Sequence, residues 1–289
     1  MEINVCLLCQ EGAVVPFLDL GGSALANAFV LAEELAQAEE KYPLRVGYCT
    51  ACSHVQLLDL VSPSEIFSDY LYVSSASDTL VKHLETLASD VVERCNLSND
   101  DLVVDVGCND GALLSGFVKA GIERVLGVDP AENLADIVRS KGASVISTFF
   151  DEEVAKQILK SHGEASVITM TNTFPHIPDL NGLMRAVETL LAPSGSLVIE
   201  AHYVGDLLAQ GAYDTIYHEH VSYFTINSIN HILCMNGFQV LDMKIVDFHG
   251  GSLRVSCCKS VPKIRLNFDY NLVNYKSNVS KLCSIADRQ

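Results

Sequence analysis

The sequence has little positive charge. Its 19 lysines and arginines stand against 36 aspartates and glutamates, a formal net charge of −17. A phosphate backbone is held by a basic surface, so no nucleic-acid partner is expected. Long apolar runs are missing as well. None approaches the roughly 18 uncharged residues of a bilayer span, so no membrane partner is expected. The first residues carry no basic stretch followed by an apolar core, so no secretory signal is read and a cytoplasmic, reducing setting is expected. Long low-complexity tracts are absent, while 49% of the 289 residues are apolar. That composition implies a folded chain of roughly two domains with a substantial core.

Cysteine, by contrast, is plentiful. Of ten cysteines, four form two C-x-x-C pairs, Cys6/Cys9 and Cys49/Cys52, separated by residues 10–48. Each pair places two thiolates on one small turn, and two such turns make a four-sulfur shell for zinc. Four cysteines leave no open position for a water, so the zinc is read as structural. Buried or redox-active thiols without metal are the alternative, and His54 is read as an ordinary polar residue. Residues 1–60 then form a zinc-binding subdomain, with short apolar strands or turns at 17–20, 29–31 and 42–46 and an acidic loop or short helix at 33–40. Cys95, Cys108, Cys234 and Cys283 lack ligand spacing, and Cys257/Cys258 reads as a packing pair.

Residues 61–100 read as a helical connector. Ser62 with Glu65 three residues later suggests a capped helix start, and Leu80, Leu84, Leu87 and Val91 predict a helix over 77–95. The organising stretch is 102–129: an apolar strand, a turn at Gly107, Asn109, Asp110 and Gly111, a helix over 112–120, then a strand ending at Asp129. This is half of a Rossmann-like unit. Strands at 145–146, 165–170 and 196–200 and helices at 131–141, 152–161 and 180–191 continue the α/β alternation. A helix at 226–235 and two strands, 238–248 and 252–258, paired across Gly250-Gly251, complete it to residue 258. Residues 259–289 are polar and read as a tail or a truncated C-terminal domain.

The glycine spacing is not the G-x-G-x-x-G of nicotinamide sites. The run Asp105-x-Gly107-x-x-x-Gly111, with an acid at the next strand end, resembles S-adenosylmethionine-dependent methyltransferases. The resemblance implies an α/β, Rossmann-like methyltransferase domain behind the zinc subdomain. It makes Asp105, Gly107, Asn109, Asp110, Gly111, Asp129 and Asn172 the cofactor-binding residues, with Asp129 on the ribose hydroxyls. A different nucleotide binder, or a ligandless α/β domain, fits the turn alone.

The densest polar cluster is 213–224, Tyr-Asp-Thr-Ile-Tyr-His-Glu-His-Val-Ser-Tyr-Phe. Two histidines, an acid and tyrosines suit proton transfer; a hydrogen-bonded cluster holding a loop is the plainer reading. This run occurs in order with the cysteine knuckles, Ala26–Phe29, Asp69–Ser75, Val106–Gly111 and His249–Ser252. Together they resemble the sugar C-methyltransferases of deoxysugar biosynthesis, which act on nucleotide-linked 4-keto sugars. The resemblance implies S-adenosylmethionine and structural zinc as cofactors and a nucleotide sugar as substrate. It implies His220 as general base, with Tyr217, His218 and Tyr72 as donors to the oxyanion and Glu219 touching base or sugar. His176, Tyr223 and His249 would line the sugar pocket. Members of that family continue into a further α/β domain, so a homo-oligomer or a separate C-terminal domain is the implied partner. Methylation of another small metabolite, or a degenerate cofactor-binding scaffold, are the competing readings.

Overall fold

A computed structural model describes residues 3–67 and 70–260. Two sheets organise them. The first strands, β1 (Val14–Ser23), β2 (Tyr42–Cys49) and β3 (Val55–Leu57), pair antiparallel in that order. A short helix α1 (Pro63–Phe67) and the long α2 (Asp78–Cys95) lead away from them. The Ser77 side chain accepts the Leu80 N–H at 3.3 Å and caps α2. Its Leu80, Leu84, Leu87, Ala88 and Val91 face the core, the stripe that helical spacing predicts.

The alternating region follows as β4 (Leu102–Val106), α3 (Ala112–Lys119), β5 (Arg124–Val128), α4 (Ala135–Ser140) and β6 (Ser144–Ile146). Then come α5 (Glu152–His162), β7 (Ala165–Thr171), α6 (Leu180–Leu190) and β8 (Leu191–His202). All five residues of β4 are buried, as a central parallel strand covered on both faces requires. The chain closes with α7 (Val204–Gln210), β9 (Ser222–Tyr223), α8 (Ile226–Met235), β10 (Phe238–Val246) and β11 (Ser252–Lys259). The large sheet has the order β10-β11-β8-β7-β4-β5-β6, with β8 to β6 mutually parallel and β11 antiparallel to both neighbours. After β4 the chain builds outward through β5 and β6, then returns to the other side of β4 with β7. The crevice at that reversal is where open α/β sheets bind ligands.

Strand β9 is the unexpected connection. Its two residues leave the large domain and pair with β3, Tyr223 opposite Val55 and Ser222 opposite Gln56. The next residue, Phe224, bridges to Tyr203 at the end of the large sheet. The segment after His220 is therefore clamped between both sheets.

Several local expectations change. Residues 29–31 form no strand; Phe29 is 71% exposed. Ser62 and Glu65 do not close a capping box, because Ser62 bonds Ser64 Oγ at 2.8 Å and the Glu65 carboxylate accepts the Tyr42 hydroxyl. Strand β8 starts at Leu191, five residues before the strand expected at 196–200, and α7 was not anticipated. Asp69 and residues 261–289, with Cys283, lie outside the described residues.

Candidate active site

The four knuckle cysteines converge. Their sulfurs all lie within 4.8 Å of one another, with Cys6 Sγ to Cys52 Sγ and Cys9 Sγ to Cys49 Sγ each 3.6 Å. Zinc–sulfur bonds of about 2.3 Å in a tetrahedron put sulfurs about 3.8 Å apart, so the shell fits zinc. Backbone N–H groups of Cys9 and Gly12 point at the Cys6 and Cys9 sulfurs. Gly12 lies so close that a Cβ there would stand 2.2 Å from Cys49 Sγ. His54 stays outside this shell; its Nε2 is 3.1 Å from Ser222 Oγ.

A cavity of about 600 Å³ opens at the C-terminal ends of β4, β5, β7 and β8. One half is the glycine turn. Gly107 has φ +72°, and a Cβ on it would stand 2.1 Å from Thr173 Oγ1, so both conformation and space demand glycine. Gly111 (φ +76°) and Asn109 (φ +50°) are also left-handed. Asp129 accepts from the Asn109 and Ala131 N–H groups at 2.8 and 2.9 Å and lines the cavity. Burial raises its carboxyl above the usual range, against the pull of those two amides. Asp105 also lines it. Burial pushes this carboxyl up to about 7, although the Thr169 hydroxyl donates to it at 2.6 Å. Asn172 sits in the left-handed region just past β7, and its buried Oδ1 has no hydrogen-bond partner among the described residues.

Two turn residues do something the sequence did not suggest. The Asn109 side chain accepts the Ser74 N–H at 2.9 Å and donates to the Tyr72 carbonyl at 2.9 Å. Asp110 accepts from Ser75 N–H at 3.2 Å and pairs with Lys141 Nζ at 2.8 Å. Asp110 lies beneath the cavity rather than on its wall, so both side chains fasten the tyrosine segment to the glycine turn.

The other half is aromatic and imidazole-rich: Tyr70, Tyr72, His176, His202, Tyr217, His220 and His249 all line it. His220 Nδ1 is 2.8 Å from the Thr215 carbonyl, which only accepts, so Nδ1 carries the proton. Its Nε2 is 2.9 Å from the Tyr217 hydroxyl and accepts from it. Burial, with the neighbouring His176, holds the His220 imidazole down to about 3, so the ring is neutral at physiological pH. Burial lowers His176 likewise to about 3.

Besides Asp110 and Gly111, three more expected site residues stand off the cavity. His218 Nε2 lies 3.3 and 3.2 Å from the Tyr42 and Pro43 carbonyls, away from the pocket. Glu219 is buried and accepts from Asn27 Nδ2 at 2.6 Å and the Tyr70 hydroxyl at 2.7 Å. Tyr223 is buried in β9, its ring edge-on to His220 at a centroid separation of 6.4 Å. All three tie the 217–223 loop to the N-terminal part of the chain. Residues given no site role from sequence include His202 and, inside the quoted motifs, Asn27, Tyr70 and Thr215. The strand-end rule would have reached His202, two residues past Glu200; Thr215 acts through its carbonyl, which sequence does not mark.

Residues 80–243 match the family model described as "Methyltransferase domain", and residues 6–67 match "Putative zinc binding domain". The C-methyltransferase NovU of Streptomyces niveus is 36% identical over 253 residues, 88% of this chain and 60% of the relative. The chain thus spans less than two thirds of that relative's length. A ubiquinone biosynthesis O-methyltransferase of Ralstonia nicotianae (strain ATCC BAA-1114 / GMI1000) is 33% identical over 132 residues, covering 39% of this chain and 54% of its own. Among solved structures, the PH0226 protein from Pyrococcus horikoshii OT3 superposes with a TM-score of 0.50 at 15% identity, covering 68% and 98% of the two chains; that likeness is one of fold alone. With its parallel sheet, glycine turn and four-sulfur cluster, the chain belongs to the methyltransferase-domain family and carries that domain behind an N-terminal zinc-binding module.

Proposed function

We propose that the chain transfers a methyl group from S-adenosylmethionine to the carbon beside the keto group of a nucleotide-linked 4-keto deoxysugar. The carrying observation is the tautomer of His220: its proton is committed to the Thr215 carbonyl, so its lone pair is at Nε2, on a cavity that opens onto the glycine turn. A base lining the same cavity as the glycine turn suits an acceptor that must lose a proton. The name of the 36%-identical relative, a C-methyltransferase, supports carbon as the acceptor atom.

On this reading the Tyr217 hydroxyl turns from His220 Nε2 to the keto oxygen as substrate binds, and the freed Nε2 lone pair takes the proton from the sugar carbon. The C–H electron pair moves onto the keto oxygen and makes an enediolate. Tyr217 and Tyr72, both on the cavity wall, donate to that oxyanion, which offsets the weak basicity of a buried imidazole. Asp129 and Asn172 hold the cofactor's ribose and neighbouring polar groups. Asp105, on the cavity wall, faces the cofactor as well, and Gly107 and Gly111 leave room beside it. Bound there, S-adenosylmethionine supplies an electrophilic methyl: the new carbon–carbon bond forms as the S–CH3 bond breaks, and its electron pair stays on sulfur. His176 and His249 contact the sugar, while Glu219 and His218 hold the base-bearing loop in place. Residues 1–60 serve as the zinc subdomain, 61–100 as connector and 101–258 as the transfer domain.

The test is incubation of the zinc-loaded chain with 13C-methyl-labelled cofactor and thymidine-diphosphate-4-keto-6-deoxyglucose, followed by carbon NMR. A carbon-linked labelled methyl is expected. Tight S-adenosylhomocysteine binding with no label on carbon would reject the acceptor. No cofactor binding by a folded sample would reject methyl transfer altogether.

A further inference from the structure

We propose that His202 is a further substrate-contacting residue of this site, donating a ring N–H to an oxygen of the acceptor beside the reacting carbon. The inference rests on the keto-sugar reading above and adds a donor to it. His202 ends β8 and is locked in register opposite Ser252 of β11. It is only 6% exposed, yet it lines the cavity. Its ring centroid is 4.5 Å from that of His220 and 6.0 Å from that of His249.

The two adjacent imidazoles are treated differently by the fold. Both nitrogens of His220 have protein partners, and its tautomer is fixed. The buried Nδ1 of His202 has no hydrogen-bond partner among the described residues. An orphaned buried polar atom is costly to keep, so an unpartnered imidazole in a cavity wall calls for a functional reason. Its tautomer is not set by the protein and is therefore free to follow the ligand. Burial, with the adjoining His220 and His249, keeps the ring uncharged at neutral pH. A neutral imidazole donates a hydrogen bond without protonating the enediolate oxygen outright. The place is also one that needs filling, because His218, the expected imidazole donor, is turned to the Tyr42 and Pro43 carbonyls.

The test compares the full zinc-loaded chain with its His202→Ala, His202→Phe and His202→Gln variants. The readouts are deuterium uptake from D2O at the carbon beside the keto group of thymidine-diphosphate-4-keto-6-deoxyglucose, and the affinity for S-adenosylhomocysteine. Losing one oxyanion donor slows such a step about 10²-fold, so His202→Ala and His202→Phe should fall by that much. His202→Gln, which keeps an N–H donor, should recover part of the rate. Cofactor affinity should stay within about twofold in all three, since a misfolded site would lose it. Exchange by His202→Phe within about threefold of the parent, or a His202→Gln no better than His202→Phe, overturns the role. If the parent chain binds cofactor but shows no exchange, the keto-sugar reading fails and this inference falls with it; parent exchange with unaffected variants rejects His202 alone.

Discussion

His220 Nδ1 lies 2.8 Å from the carbonyl oxygen of Thr215, five residues earlier in the same loop. A carbonyl cannot donate, so this contact decides which imidazole nitrogen keeps its proton and which offers a lone pair. The lone pair points at Tyr217, 2.9 Å away. Replacing Tyr217 with Phe removes that hydroxyl and leaves the Thr215 contact intact. Turnover should fall about 10²-fold with little change in cofactor affinity, the pattern of a donor used in the transition state. Steady-state kinetics with the keto-sugar nucleotide measures it; a variant with unchanged kcat would take Tyr217 out of the oxyanion role.

Gly107→Ala tests the cofactor half. The added methyl meets Thr173 Oγ1 at 2.1 Å and must adopt φ +72°. The left-handed backbone alone costs about 1–2 kcal/mol. Strain that the bound state cannot relieve weakens binding about tenfold for each 1.4 kcal/mol. Calorimetric titration should show S-adenosylhomocysteine binding reduced at least about tenfold; wild-type affinity would mean that the turn does not approach the ligand.

The zinc module should matter to the base more than to the cofactor. Strand β9, beginning two residues after His220, pairs with β3 of the zinc-side sheet, whereas Gly107 and Asp129 follow directly on β4 and β5 of the large sheet. Cys49→Ser breaks the sulfur shell. It should lower zinc content and drop the melting temperature by about 5–10 °C, given about 2–4 °C per kcal/mol at this size. Proton exchange on the keto sugar should be lost well before cofactor binding. Equal loss of both would show that the module supports the whole fold rather than the loop.

The sequence revealed the large sheet well because period and punctuation agree there. Leu102–Val106 is a buried apolar run, Gly107 and Gly111 demand positive φ, and α2 carries an unbroken apolar stripe. It revealed the zinc shell because four cysteines at C-x-x-C spacing have few other uses. Long-range pairing was not legible. Nothing local in Ser222-Tyr223 says that it joins a sheet begun near residue 14, nor that Asn109 and Asp110 serve the backbone at 72–75. The run 217–223 was visible as chemistry, but its division of labour was not. His218, Glu219 and Tyr223 bond to elements up to 192 residues away, as in the Asn27–Glu219 contact, and only the tertiary arrangement separates them from Tyr217 and His220.

Acid should destabilise the fold through the same imidazoles. His176, His202 and His220 are each held down to about 3 by burial, against an unfolded value of about 6.5. Between those values the unfolded chain binds more protons, so stability is full above pH 6.5 and is lost as pH falls toward 3. The slope is up to about 1.4 kcal/mol per pH unit for each histidine. Asp105, raised to about 7, acts in the opposite sense between about 3.9 and 7 and offsets one of the three. Urea titrations at pH 7, 6 and 5 should show a falling midpoint; a flat profile would mean that the imidazoles are not dry.

The most direct measurement is hydrogen–deuterium exchange at the carbon beside the keto group of thymidine-diphosphate-4-keto-6-deoxyglucose, followed by proton NMR in D2O without cofactor. It isolates proton removal from methyl transfer. With His220 as base, the parent chain exchanges that position and His220→Ala slows exchange by about 10²–10⁴-fold while still binding S-adenosylhomocysteine. Equal exchange by the two proteins, or none by a parent chain that binds cofactor, would contradict the account.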